Sequence, residues 1–132
     1  MMHHVLIALA SNHNQEKNLS EGRKALAQIL TSTSFTKALW TKAEGLPAPA
    51  PLYLNQLVSA ETPLGADELT CCLKAIEQRQ GRNADARREG RVALDLDLME
   101  YDGERHHERD WSRTYMKQLL ALAQGSQQPP TR

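Results

Sequence analysis

Asp95 and Asp97 are two carboxylates one residue apart in the run Leu94-Asp95-Leu96-Asp97-Leu98. Alternation at period two is the pattern of a half-buried β-strand, so both acids share one face and the leucines share the other. On a strand the two acids stand about 7 Å apart along the chain. Aspartate is a poor strand former, so its double use here asks for a reason. A hard cation such as Mg²⁺ is one reason: it takes one or two protein carboxylates and completes its shell with phosphates and water. A solvated sheet face would carry the same residues.

The segment before this strand holds Arg82, Arg87, Arg88 and Arg91, with Asp85 and Glu89 between them. A charge-rich loop can be merely solvated. Guanidinium forks beside paired carboxylates are also what polyphosphate chemistry needs, because they grip phosphate oxygens bidentately. A mobile loop could deliver them when substrate binds. Glu77 follows Leu69 and Leu73 at four-residue steps and should point towards the sheet or its edge. It could equally be a helix-end carboxylate paired with Arg79 or Arg82. Tyr53 and Asn55 share one strand face, where a ring could stack on a flat heterocycle and a carboxamide could pair with its edge. Ordinary cross-strand packing would explain them too. There is no P-loop or Rossmann glycine motif. The adjacent pairs His3-His4 and His106-His107 read as surface residues, since neighbours on a strand face opposite ways.

These groups must be positioned by a small set of elements. Val5 to Ala10 reads as a buried first strand, followed by Ser11-Asn12 in a turn- and cap-rich stretch. Leu19, Gly22, Leu26 and Ile29 mark one helix face. Thr31 to Thr41 suits a strand, and the proline-rich 42–51 a loop. Leu52 to Thr62 reads as a third strand with Leu54, Val58 and Ala60 on one face. A helix from about Gly65 carries Leu69, Cys72, Leu73 and Ile76, and Gly81 stops it. A polar loop, Arg82 to Gly90, leads to a strand over Val92 to Tyr101, then a turn at Asp102-Gly103. Trp111, Tyr115, Leu119 and Leu122 mark a last amphipathic helix, and 125–132 a frayed tail. The order β-α-β-β-α-β predicts an α+β, ferredoxin-like antiparallel sheet with helices on one face plus a C-terminal helix, leaving the other face free for a site.

The chain has 132 residues, with 16 basic and 16 acidic side chains, 40% hydrophobic and 24% charged. That length suits a single domain over 1–132. The balanced charge gives no argument for nucleic acid, and no apolar run approaches a membrane span. Cys71 and Cys72 have neither zinc spacing nor a disulfide framework and read as small apolar fillers in a reducing, cytoplasmic compartment.

Ser11-Asn12, Tyr53-Leu54-Asn55, Ile76-Glu77 with Gly81-Arg82, and Leu94 to Met99 occur in an order that resembles the 6-hydroxymethyl-7,8-dihydropterin pyrophosphokinase family, from about Val5 to Leu120. The resemblance implies transfer of a diphosphate from ATP to a pterin alcohol in folate biosynthesis. It implies that Asp95 and Asp97 hold two Mg²⁺ ions, and that Arg82 and Arg91 contact phosphate from a catalytic loop. Glu77, Leu98 and Arg113 would lie on the nucleotide side. Thr41, Tyr53, Asn55 and Tyr115 would form the pterin pocket. Substrates would be small molecules, and the protein a monomer or weak homodimer. Against the family pattern, Ala10 replaces a glycine and Lys42 a proline, and the arginine loop lacks a tryptophan. Glu108-Arg109 stands near the place of a His-Pro pair. A pterin- or nucleotide-binding domain without turnover, on the same fold, is the other reading.

Overall fold

The computed structural model describes residues 1–43 and 50–127. The proline-rich stretch expected as a loop lies mostly outside them, as do 128–132 of the expected tail. Strand β1, His3–Ser11, alternates buried and less buried residues and runs through the middle of the sheet. Helix α1, Gln15–Ile29, follows and buries Asn18, Leu19, Gly22 and Leu26, the three- and four-residue steps of one helical face.

Thr31 to Thr41, expected as one strand, is two: β2, Thr31–Phe35, and β3, Leu39–Thr41. Both pair with β4, Tyr53–Thr62, on the same edge. Thr36 causes the break. Its N–H donates to Leu57 O at 2.9 Å, but its hydroxyl oxygen, not its carbonyl, accepts the Leu57 N–H at 3.1 Å. The freed carbonyl turns aside and accepts from Gln56 Nε2 at 2.6 Å.

Helix α2, Ala66–Arg79, is stopped near Gly81, whose φ of +106° is left-handed. The expected polar loop contains a short helix α3, Ala84–Arg88, capped by the Asn83 carboxamide accepting the Ala86 N–H at 2.8 Å. Strand β5, Asp95–Tyr101, starts later than expected, at the first residue that pairs with β1. Asp102 and Gly103, at φ 48° and 85°, form the tight turn to β6, Glu104–Arg105. Two left-handed residues are what a two-residue hairpin demands. The last helical pattern divides at Ser112-Arg113 into α4, Glu108–Trp111, and α5, Thr114–Gln127, so 125–127 is helical.

The sheet order is β2-β4-β1-β5-β6, all antiparallel, with β1 between β4 and β5. This is the expected α+β arrangement. One core lies under α1 and α2 and includes Ile7, Leu9, Leu26, Leu73 and Leu96. A second core, with Leu57, Met99, Trp111, Met116 and Leu119, lies on the opposite sheet face. That face is therefore not bare: α5 covers part of it and leaves open the end where Asp95 begins β5. Within β5, Ile7 pairs with Leu98 but Leu6 with Glu100, so Met99 is an extra residue, a β-bulge, and it joins the second core. Cys71 is exposed and Cys72 half-buried, so the pair does not fill a core. Among the described residues no helix is long and apolar enough to cross a membrane.

Candidate active site

The pairing register builds the site. Asn55 on β4 faces Ala10 on β1, and Ala10 faces Asp95 on β5, so the three stand in one row across the sheet. Leu57, Ala8 and Asp97 form the next row. Asp95 and Asp97 share a face, as the alternation predicts, and the alanine at the centre of each row keeps the surface low.

A cavity of about 510 Å³ lies on one side of the aspartates, lined by both of them with Lys74, Glu77, Arg82 and Leu98. A second, of about 250 Å³, lies on the other side, lined by both again with Thr41, Tyr53, Asn55, Arg113 and Tyr115. The two carboxylates thus stand on the wall common to both. Leu98 touches the first cavity while its side chain belongs to the core under the helices.

Glu77 points to the sheet and is also paired with an arginine, so both expectations for it hold together. Its Oε2 accepts the Leu96 N–H at 2.7 Å, and its Oε1 lies 3.3 Å from Arg82. The same Arg82 nitrogen is 3.0 Å from Asp95 Oδ1. Burial, then the charge of Asp95, raises the Glu77 pKa, against the pull of the Leu96 N–H and Arg82. Burial, then the charge and hydrogen bond of Asp95, with Glu77 and Asp110 beyond, pushes Asp97 up to about 7. Burial works against the Arg82 charge, but Asp95, Glu77 and Asp97 outweigh it and raise its pKa.

On the other side, Asn55 Nδ2 donates to Thr41 Oγ1 at 2.6 Å and to Leu39 O at 3.3 Å. Tyr53 and Tyr115 flank this cavity. Burial, followed by Asp95 for Tyr53 and by Asp110 for Tyr115, raises their pKa values. Arg113 Nε donates to Asp110 at 2.9 Å.

Arg91 stands apart from the aspartates. It pairs with Glu89 at 3.2 Å and shares a cavity of about 90 Å³ with Arg82 and Arg87. His106 and His107 are not simply surface residues. Both line the larger cavity, and His107 Nε2 is 4.0 Å from Asp97 Oδ1. Lys74 and Asp110 also belong to the site without having been singled out. Each sits three residues from a candidate, Glu77 and Arg113, and so on the same helical face or turn. No comparable spacing marks His107.

Among the described residues no three His, Cys, Asp or Glu side chains converge on one point as a self-contained metal site. Two carboxylates on a polar wall, acceptor-only once ionised, fit instead the partial shell that Mg²⁺ takes when phosphates complete it.

The sequence matches the family model of 7,8-dihydro-6-hydroxymethylpterin-pyrophosphokinase (HPPK) over residues 6–124. It is 34% identical over 125 residues to the mitochondrial folate synthesis bifunctional protein of Pisum sativum, covering 85% of this chain and 23% of that protein. It is 30% identical over 121 residues to the folate synthesis bifunctional protein of Arabidopsis thaliana, covering 85% of this chain and 25% of that protein. The chain thus spans about a quarter of the length of these curated relatives.

Proposed function

The chain belongs to the 7,8-dihydro-6-hydroxymethylpterin-pyrophosphokinase family, and from that premise we propose that it transfers a diphosphate from ATP to 6-hydroxymethyl-7,8-dihydropterin in folate biosynthesis. The observation that carries this reading is the place of Asp95 and Asp97 on the wall common to two cavities. A donor in one and an acceptor in the other meet at those carboxylates.

The smaller cavity suits the pterin. Asn55 and Asp95 are two strands apart, roughly 9.6 Å, with only Ala10 between them. A bicyclic ring fits that span with its edge on Asn55 and its hydroxymethyl arm towards the acids. Thr41 holds the Asn55 carboxamide in place, and Tyr53 and Tyr115 supply apolar walls. The larger cavity takes the nucleotide, with Glu77 and Leu98 at its inner side.

Asp95 and Asp97 would hold two Mg²⁺ ions, which when bound neutralise phosphate charge and polarise the transferred phosphorus. Arg82, Arg91 and Arg113 would grip phosphate oxygens. The pterin alcohol oxygen bonds to the β-phosphorus as the bond to the α,β-bridging oxygen breaks. AMP leaves and the hydroxyl proton is released. Such a reaction asks for position and charge stabilisation more than for covalent help.

The test is AMP release from ATP with the hydroxymethyldihydropterin and Mg²⁺. Release that depends on both substrates is expected. Thermal shifts with pterin and a non-hydrolysable ATP analogue, but no AMP, would replace catalysis by the reading of a binding domain. Neither release nor shift would remove both.

A further inference from the structure

Asn12 is buried just beyond the end of β1, and the catalytic reading gives it no task. Its contacts are specific. Its N–H donates to Val92 O at 2.9 Å, its Nδ2 donates to Gly90 O at 2.9 Å, and its Oδ1 accepts the Val92 N–H at 2.6 Å. Asn12 therefore treats Gly90–Val92 as a neighbouring strand would, offering a donor and an acceptor at once. A carboxamide does this from two separate atoms; a carboxylate has no donor, an alkyl group has neither, and a hydroxyl has a single atom for both.

The segment it grips carries Arg91 at its centre and joins α3 to β5. The N–H groups of Gly90 and Arg91 bond back to α3, at Arg87 O, 3.1 Å, and Ala86 O, 2.8 Å. The hydrogen bonds from this segment to the sheet run through Asn12 and, at 3.4 Å, the hydroxyl of Ser11. Asn12 is thus the tie between the arginine-bearing unit and the central strand, the one that carries Ala10 between Asn55 and Asp95.

We propose that Asn12 is a positioning residue that clamps Gly90–Val92 to the end of β1 and so fixes Arg91, and α3 behind it, in register with the two aspartates. The inference rests on the diphosphate-transfer reading for its catalytic consequence, but not for the clamp itself. Asn12 touches no reacting atom. Its effect on rate comes from holding a phosphate-binding arginine within the fraction of an ångström that efficient transfer requires.

Asn12→Ala removes both side-chain bonds to Gly90–Val92 and, with them, the hydrogen bond between Asn12 and Tyr53. Asn12→Asp keeps the shape and the acceptor for Val92, loses the donor to Gly90, and guards against misfolding of the first variant. In the full chain, kcat for AMP release should fall by roughly 100-fold in Asn12→Ala and by less in Asn12→Asp. KM for ATP should stay within about threefold, and any change in KM for the pterin should be matched by Tyr53→Phe, which removes only the hydroxyl that meets Asn12. A kcat within threefold of wild type, or a parallel loss of kcat, both KM values and melting temperature, would overturn the proposal.

A second readout does not need turnover. Hydrogen exchange at the Val92 amide should quicken by about tenfold or more in Asn12→Ala, as for a lost protecting bond. In wild type, α,β-methylene ATP with Mg²⁺ should slow exchange across 87–91, and in Asn12→Ala it should bind without doing so. Equal protection in both proteins, or in neither, overturns the clamp. Absence of AMP release by wild type defeats the transfer reading and leaves the exchange result to decide the clamp.

Discussion

The two sides of the aspartate wall are built differently. On the proposed pterin side, Thr41, Tyr53 and Asn55 stand on paired strands, and Asn55 is bonded to Leu39 and Thr41 of β3. On the proposed phosphate side, Arg82 and Arg91 stand on a turn and on the segment after a five-residue helix, and their guanidinium groups meet carboxylates, Glu77 and Asp95 for Arg82 and the exposed Glu89 for Arg91. Ladder hydrogen bonds fix the first set, whereas exposed ion pairs contribute little and are screened by salt. The contrast separates two tasks. In the proposed reading, a flat heterocycle would be read by side chains bonded within the sheet, and a charged chain would be met by arginine side chains that can reorient on a backbone held by Asn12.

The sharpest test of that contrast lies on the wall itself. Asp95→Ala or Asp97→Ala should lower kcat by roughly 1000-fold or more while the protein stays folded. Substantial turnover in either variant would break the metal assignment and with it the shared-wall reading. Next, the two sides should fail in different parameters. Asn55→Ala should raise KM for the pterin about tenfold, about 1.4 kcal/mol, and change KM for ATP little. Arg82→Ala should lower kcat by roughly 100-fold, with KM for the pterin nearly unchanged. The same parameter moving in both variants would erase the distinction.

A smaller effect concerns the wall without substrate. Burial, and next the charge of Asp95, raises the Asp97 carboxyl from 3.8 to about 7. A carboxyl raised on folding contributes stability that is complete below its unfolded pKa and is lost as pH rises through its folded one. The metal-free protein should therefore lose several degrees of melting temperature between about pH 4 and pH 7.5. Asp97→Asn should flatten that decline, and Mg²⁺ with nucleotide should offset it most at the higher pH. A decline equally steep in Asp97→Asn would assign it elsewhere. Smallest of all, Asp85→Ala breaks an ion pair with Arg88 that is fully on the surface. It should change stability by no more than about 0.5 kcal/mol by chemical denaturation, and a larger loss would show the arginine segment to be more rigid than its exposure suggests.

What was legible in the chain follows from periodicity. Period two placed Asp95 with Asp97 and Tyr53 with Asn55, and helical steps brought Glu77 to the sheet. The α+β class with its antiparallel sheet followed from the sequence of elements. Contacts set by long-range closure were not legible. The stripe of Tyr115 and Leu119 announced a helix but not which sheet face it covers, because both faces carry apolar residues. His107 reaches Asp97 from a left-handed residue after β6, a geometry no spacing announces. Asn12 grips a segment about eighty residues away, so its place after the first strand marked it without showing what it holds.

The bulge at Met99 has a consequence for changes in chain length. A one-residue deletion inside a central strand ordinarily turns every later side chain over. Here β5 already consists of two half-strands of opposite parity: Asp95 and Asp97 face the cavities, while Tyr101, also odd-numbered, packs towards the other face. Removing Met99 would leave Leu98 opposite Ile7 and Glu100 opposite Leu6, as they are now. The loss would be one buried side chain from the second core, not the frame of the strand. The acidic half and the hairpin half of β5 can thus tolerate a shortening at their junction that neither would survive within itself.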